Sequence, residues 1–314
     1  MLAGLLIALL VIEFGLCAAM GIFMYGDQMM HHAGEFSLYV LLYMLLVRLL
    51  VVVASFIFAG FNNSDRPSQS TFKWLTTISA EYLATLFAFS FCIPLAWLLA
   101  PRLGRTRIKG QPVVLLVHGL FSNSGVWWLF AYRLRRLRRL QRPDRRVDSL
   151  ELTPVFGDLD AYVALLEKRV DDLTRRGASS IALVGHSMGG LVGRAYLSRR
   201  GTQPDSVPSM QLITLGSPHS GSLSAWCLPG THLRQMRPGS DWLRQLPTTC
   251  PVPAVSVYSM HDNLVVPYQR ARSEALSPEE WRGIGHLSLL FDRRIFLTVE
   301  RLLNSQRAIP VQNQ

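Results

Sequence analysis

The pattern with the clearest chemical meaning is a serine between two glycines, where an apolar run meets a helical pattern. Residues 181–184 lead directly into Gly185-His186-Ser187-Met188-Gly189, and helical spacing follows. A strand that turns this sharply into a helix needs small residues two positions before and after the serine. It presents the hydroxyl at the helix amino terminus, where negative charge is stabilised. Ser187 is therefore the predicted nucleophile.

A serine hydroxyl becomes a nucleophile when a histidine removes its proton, and a carboxylate must orient that histidine. After a strand–turn–helix serine, the partners follow in the order Asp or Glu, then His. Asp262 follows the apolar run 254–258, and His286 is the last histidine of the chain. We predict Asp262 as the acid and His286 as the base. The alternatives are a turn cap for Asp262 and a core histidine for His286.

Attack on a carbonyl also requires two backbone N–H donors for the oxyanion that develops. The amide of Met188, directly after the nucleophile, is the first. The second is expected in the loop after the run 113–117, which reads His118-Gly119-Leu120-Phe121. The glycine of this loop lets the backbone approach closely. We predict the amide of Leu120 as the donor, with that of Phe121 as the alternative.

Two aromatic residues near this loop are candidates for substrate contact. Phe121 and Trp127 occupy positions where an acyl pocket is expected, although core packing is the alternative for each. The segment 216–285 is longer than one strand and its turns require, so a modest lid is predicted within 223–246.

Short apolar runs alternate with helical patterns through the second part of the chain. The predicted strands are 113–117, 181–184, 211–215 and 254–258; the predicted helices are 127–140, 159–176, 188–200 and 293–304. Continuous apolar runs are typical of strands buried on both faces of a parallel sheet. Their alternation with helices predicts an α/β fold with a doubly wound, mostly parallel sheet.

The chain of 314 residues divides near residue 100. Hydrophobic residues make up 49% and charged residues 17%, which excludes a disordered tail or a disulfide-rich miniprotein. Residues 1–100 carry 3 basic and 5 acidic side chains, whereas residues 101–314 carry 29 and 16. We predict a membrane region at 1–100 and a catalytic domain at 101–314.

Three stretches, 2–24, 38–60 and 78–99, have the roughly 20 mostly apolar residues that a membrane-spanning helix needs. Glu13 and Arg48 lie mid-span in the first two and are predicted to pair, with snorkelling as the alternative. The loop 25–37 has no Lys or Arg, the loop 61–74 has two, and the third stretch is followed by four. Positive flanks favour the cytoplasm. The prediction is a multi-pass protein of the inner or plasma membrane, with the amino terminus outside and the catalytic domain in the cytoplasm.

Residues 112–305 resemble the α/β-hydrolase superfamily, and within it the bacterial triacylglycerol lipases and esterases. The resemblance is carried by 117–120, 185–190, 215–222, the loops of Asp262 and His286, and the lipase-like stretch 237–243. It implies an α/β-hydrolase sheet and cleavage of carboxylic esters through an acyl-enzyme. No cofactor and no metal are expected, because the calcium-loop pattern of many secreted lipases is missing. The resemblance does not extend to the first hundred residues.

The cysteines offer one further alternative. Cys227 and Cys250 flank the lipase-like stretch 237–243. They would form a disulfide in an oxidising compartment. The cytoplasmic prediction favours free thiols instead.

Residues 132–146 contain eight arginines, with Leu134, Leu137 and Leu140 at helical spacing. A basic amphipathic helix beside a membrane region predicts contact with anionic lipid. The arginines expected to make this contact are Arg133, Arg135, Arg136, Arg138 and Arg139. A solvated helix is the alternative, and nucleic acid is not expected because no binding fold or aromatic platform accompanies the charge.

The predicted function is therefore cleavage of lipid or other apolar carboxylic esters by a membrane-anchored serine hydrolase. A thioesterase or acyltransferase would use the same three residues. A catalytically inert membrane scaffold is the alternative from another class, but it would be expected to lack at least one of them. The sequence leaves chain length, head group, protein partners and oligomeric state open.

Overall fold

The computed structural model describes residues 32–63, 65–104, 107–108, 110–141, 145–201 and 208–305, together with Gly15. Apart from that glycine, the predicted first span at 2–24 lies outside the described residues. So does Glu13, and its pairing with Arg48 stays a prediction.

The described chain begins with a helical hairpin. Helix α1 (Ala33–Phe61) is followed by α2 (Thr71–Phe87), which continues as a π-helical turn (Ala88–Cys92) before the short α3 (Ala96–Leu99). The segments Gly34–Phe61 and Thr71–Cys92 are long and apolar enough to cross a membrane. The described residues thus contain two candidate spans, where 38–60 and 78–99 were predicted together with 2–24.

The predicted bounds 78–99 were wrong. The helix begins at Thr71, because the side chain of Ser70 caps it by accepting a hydrogen bond from the amide of Lys73. It ends at Cys92, shortly before Pro94, whose nitrogen has no hydrogen to donate. Polar residues in the first turns kept the hydropathy low there, so the sequence placed the start too late.

Helix α2 packs against the rest of the protein along one stripe. The buried residues recur every three or four positions: Thr77, Glu81, Ala84, Ala88 and Cys92. At 1.5 Å per residue, this stripe is roughly 22 Å long. The opposite side exposes large apolar residues: Phe72, Leu75, Leu83 and Phe91. The helix predicted as a third span is therefore attached to the folded domain over most of its length.

The domain that follows is built on six parallel strands in the order β2-β1-β3-β4-β5-β6. The strands are β1 (Val113–Val117), β2 (Arg146–Leu150), β3 (Ser180–His186), β4 (Ser209–Leu215), β5 (Ala254–Ser259) and β6 (Ser277–Trp281). In the centre, Val113 of β1 is in register with Ile181 of β3. The four strands expected from apolar runs are present. The two edge strands escaped prediction because both contain charged residues, as edge positions allow.

Helices cover both faces of the sheet. They are α4 (Trp128–Gln141), α5 (Leu159–Arg175), α6 (Met188–Arg200), α7 (Thr231–Gln235), α8 (Asp241–Arg244) and α9 (Arg293–Ser305). The core on one face joins Val113 and Leu115 to α5 and α6, whereas Val114 and Leu116 point to the core formed with α4 and α9. Ala88 and Cys92 belong to this second core. The predicted doubly wound α/β architecture is confirmed.

Candidate active site

Ser187 occupies the sharp turn between β3 and α6. Its backbone has φ +53° and ψ −124°, a conformation that a residue with a side chain rarely adopts. A methyl group added at Gly185 would lie 2.5 Å from the nitrogen of Gly190, and one at Gly189 would lie 2.4 Å from the oxygen of Val117. Only glycine fits at these two positions, as the sequence pattern requires.

Asp262 and His286 lie together and are both buried. Nδ1 of His286 donates to Oδ2 of Asp262 at 2.8 Å, with Oδ1 at 3.1 Å. Oδ1 also accepts from the amides of Leu264 and Val265, both at 2.8 Å. The carboxylate is thus held in place by its own loop. A proton fixed on Nδ1 leaves Nε2 of the imidazole available as a base.

Two contacts bring this pair to the end of β3 beside Ser187. The ring of His186, the residue before Ser187, lies 4.7 Å from the ring of His286, and its Nε2 donates to the His286 carbonyl at 3.1 Å. Gly216 directly follows β4 and lies close to the acid: a methyl group added to it would lie 3.0 Å from Oδ2 of Asp262. Ser187, Asp262 and His286 follow the carboxyl ends of β3, β5 and β6, the edge of the sheet where α/β proteins build their sites.

The pKa values of the two neighbouring histidines are shifted in opposite directions. Burial and the nearby His286 hold the pKa of His186 well below its usual range, so this imidazole is neutral. Burial also acts to lower the pKa of His286, but the carboxylate of Asp262 and, more weakly, that of Glu81 outweigh it and raise the pKa. His286 is therefore the more basic of the two rings.

The loop carrying Leu120 approaches Ser187 closely. A methyl group added at Gly119 would lie 2.9 Å from Cβ of Ser187. His118 fixes this loop, because its Nδ1 donates to the Gly119 carbonyl at 2.9 Å and its Nε2 accepts from the amide of Leu152 at 3.0 Å. On the other side of Ser187, Met188 opens α6, where the first amides have no partner within the helix. Both backbone segments predicted to form an oxyanion hole thus adjoin the serine.

The two aromatic residues predicted to contact substrate have different surroundings. Phe121 is half-buried and meets the exposed ring of Phe156 edge to face, with centroids 6.2 Å apart. Trp127 has no exposed surface and packs edge to face on Phe130 in the core shared with α9. The structure does not bring Trp127 to the site. The 3₁₀ turn Ser124–Trp127 directs its ring into the core.

The stretch predicted as a lid, 223–246, contains the 3₁₀ turn Leu223–Trp226 and the helices α7 and α8. Cys227 in this stretch is exposed, and Cys250 beyond it is half-buried; both are free thiols. Within the part of the chain that the structure covers, no group of three or more His, Cys, Asp or Glu residues is arranged to hold a metal ion.

The basic helix α4 is less free than its sequence indicated. Arg133 is half-buried: it donates to the carbonyl of Phe291 at 2.9 Å and lies over the ring of Phe296. It therefore attaches α4 to the α9 region, which corrects its predicted role as a lipid contact. Arg135 and Arg136 are exposed, while the side chains of Arg138 and Arg139 lie outside the described part. Lipid contact through these four arginines stays a prediction.

One residue beside the site was missed by the sequence reasoning. Glu81 of α2 is 2% exposed, and its carboxylate accepts hydrogen bonds from the residues that follow His286. The sequence nevertheless contained a signal for Glu81: it is a lone carboxylate in an apolar helix, and such a group is rarely left without a partner or a function.

Comparison with solved structures finds a fold similar to that of this domain. Lipase B of Aspergillus fumigatus superposes with a TM-score of 0.51 and 19% identity, over 64% of this chain and 54% of that lipase. The domain has the α/β-hydrolase fold. The mature lipase BlEst2 of Bacillus licheniformis matches with a TM-score of 0.49 and 16% identity, over 62% of this chain and 92% of its own.

Sequence comparisons reach less of the hydrolase domain. A family model described as PGAP1-like alpha/beta domain matches residues 158–226, which include Ser187. No curated protein matches the chain.

Proposed function

We propose that this protein is a membrane-anchored serine hydrolase that cleaves carboxylic ester bonds of lipids or other apolar acyl compounds. The observation that carries the proposal is the buried Asp262–His286 pair, whose imidazole lies 4.7 Å from the ring of His186, the residue before the serine in the strained turn. Such a pair has the chemistry needed to remove a proton from a hydroxyl and return it to a leaving group.

The reaction follows from these positions. His286 takes the proton of the Ser187 hydroxyl while the oxygen attacks the ester carbonyl, and the amides of Leu120 and Met188 stabilise the oxyanion. Collapse of this intermediate breaks the ester bond, and His286 passes the proton to the departing alcohol. Water, activated by His286, then hydrolyses the acyl-enzyme and regenerates the serine.

Exposed apolar side chains near the site support an apolar substrate. Phe156 beside Phe121 is 58% exposed, and Leu264, two residues after Asp262, is 42% exposed. Trp226 is also exposed. Its 3₁₀ turn is attached to the loop of Asp262, because the amide of Leu223 donates to the carbonyl of Val266. Apolar rims around a polar site are typical of surfaces that bind lipid or apolar ligands.

The hairpin supports membrane attachment. Helix α1 exposes large apolar residues over much of its length, among them Leu38, Leu42, Leu46 and Leu50. Helix α2 packs beside α1, since Phe56 of α1 meets Trp74 of α2 edge to face at 6.1 Å and Tyr82 of α2 donates to the Leu45 carbonyl of α1 at 2.9 Å. We propose that the two helices attach the protein to the membrane together, through the apolar side chains that they expose.

The side of the membrane is proposed from the charges that flank the apolar segments. The third apolar stretch is followed by four Lys or Arg residues at the entrance to the hydrolase domain. Because positive flanks favour the cytoplasm, the hydrolase domain is proposed to be cytoplasmic.

The test is hydrolysis of p-nitrophenyl esters with acyl chains of two to sixteen carbons by the full chain purified in detergent. Ser187→Ala is the test variant, and Ser198→Ala, which alters a hydroxyl on α6 that bonds only within its helix, is the matched control. We expect activity that increases with chain length, is lost in Ser187→Ala and is retained in Ser198→Ala.

Other outcomes are equally informative. Turnover of short chains only would contradict the lipid substrate but keep ester hydrolysis. Turnover that survives Ser187→Ala would contradict the assigned nucleophile. The absence of serine-dependent ester turnover, with Ser187 still labelled by a fluorophosphonate, would show that the acyl group or its acceptor is of a different class.

A further inference from the structure

Glu81 is a buried carboxylate in the middle of α2, on the side that faces the hydrolase domain. Placing a carboxylate where water cannot reach it costs free energy unless hydrogen bonds replace the lost hydration. Its three bonds all come from one short segment: the amide of Leu287 donates to Oε1 at 2.8 Å, and the amide and hydroxyl of Ser288 donate to Oε2 at 2.8 and 2.7 Å. Three converging donors suit an ionised carboxylate, which only accepts.

The segment that Glu81 holds is the turn that carries His286. His286 is the residue before the 3₁₀ turn Leu287–Leu290, so the carboxylate binds the backbone immediately after the proposed base. Glu81 also touches the residue before it, since a methyl group added at Gly285 would lie 2.4 Å from Oε2. The backbone on both sides of His286 is therefore packed on one side chain of the hairpin.

The loop of Asp262 is attached to the same hairpin by separate contacts. Arg66, between α1 and α2, donates to the Asp262 carbonyl at 3.3 Å, and its guanidinium lies over the ring of Trp74. Trp74 in turn meets the ring of His261 edge to face at 5.3 Å. Both loops of the proposed acid–base pair thus rest on the membrane-associated helices.

We propose that Glu81 is a positioning residue for the base His286: it fixes the turn around His286 and places a negative charge beside the imidazole. This inference rests on the proposed function, because it assumes that His286 acts as the base. It makes the helical hairpin a part of the active site as well as its membrane attachment.

The charge of Glu81 gives the proposal a signature that a purely structural contact would not have. The groups facing His286 are Asp262, Glu81 and His186, and Arg66 faces Asp262. Asp262 and Glu81 both act to raise the pKa of His286. Removing the charge of Glu81 lowers that pKa, so the neutral, active form of the base persists to lower pH. The acid limb of the pH profile must then move to lower pH.

The experiment uses the full chain in detergent and compares wild type with Glu81→Gln, Ser288→Ala and the control Glu167→Gln. Glu167 is exposed on α5, on the other face of the domain. The first readout is the rate of Ser187 labelling by a fluorophosphonate against pH. For Glu81→Gln we expect the labelling rate at the pH plateau to fall by about 10²-fold, the size expected when a reacting group is misplaced by about 1 Å. We also expect the acid limb to move to lower pH. Ser288→Ala removes one donor and no charge, so its plateau is expected to fall without a shift of the limb.

The second readout is the pKa of His286, measured by NMR on protein labelled with ¹⁵N-histidine and assigned with His286→Gln. It needs no catalysis, so it tests Glu81 even if wild type proves inert and the proposed function fails. We expect a lower pKa in Glu81→Gln than in wild type and in Glu167→Gln. An unchanged His286 pKa, or a plateau within about twofold of wild type, would overturn the proposal.

Discussion

The side-chain oxygen of Asn263 accepts a hydrogen bond from the backbone amide of His286 at 2.9 Å. Asn263 directly follows Asp262, so this bond and the carboxylate–imidazole bond connect the same two loops. The amide nitrogen of Asn263 donates to the hydroxyl of Ser55 on α1 at 2.8 Å. The acid, the base and the first helix of the hairpin are therefore joined through one buried side chain.

Asn263→Ala is expected to reduce kcat by about fivefold, because a hydrogen bond of about 1 kcal/mol no longer holds the backbone of His286. KM should change little, since Asn263 does not face the substrate rim. Steady-state kinetics with a medium-chain p-nitrophenyl ester measure both constants. Ser55→Ala, which removes only the contact with α1, is expected to have a smaller effect. Equal losses in the two variants would show that the contact with α1, rather than the bond to His286, is what matters.

The pH dependence of wild-type activity should reflect the base. Burial lowers the pKa of His286, but Asp262 and Glu81 together raise it above the ordinary value of 6.5. Only the neutral imidazole accepts the serine proton, so activity is present above this pKa and is lost as the pH falls through it. We expect kcat/KM, which reports the free enzyme, to show an acid limb above pH 6.5. A limb below this value would contradict the raised pKa.

The predictions from sequence agree best with the structure where a structural requirement fixes the residue types within a short segment. The turn around Ser187 could be predicted because glycine is needed within a few residues of the serine. The central strands could be predicted because burial on both faces makes them continuously apolar. The edge strands β2 and β6 could not, since an edge tolerates charged residues and leaves no such run.

The sequence was least informative about which surface covers each apolar residue. Trp127 and Phe121 lie in the same short segment, yet one is in the core and the other beside an exposed ring. Hydropathy likewise indicated that α2 crosses lipid, although one side of it packs on protein. Glu81 was overlooked for the same reason: its partners Leu287 and Ser288 are about 200 residues away in sequence.

Trp127 and Phe121 provide a matched pair for this distinction. Trp127→Ala is expected to lower the free energy of unfolding by about 3–5 kcal/mol, because it leaves a cavity in the core. Phe121→Ala should leave stability nearly unchanged and raise KM for long acyl chains more than for short ones. Thermal unfolding and chain-length kinetics measure the two effects. Retained stability in Trp127→Ala together with altered chain-length preference would return Trp127 to the substrate site.

The topology can be tested on the native cysteines. Cys227 is exposed in the hydrolase domain, whereas Cys92 is buried and Cys250 half-buried. If the domain is cytoplasmic, a membrane-impermeant maleimide should label Cys227 in permeabilised spheroplasts and not in intact ones. The Cys227→Ser variant identifies the band. Labelling of Cys227 in intact spheroplasts would place the hydrolase domain outside and contradict the proposed location.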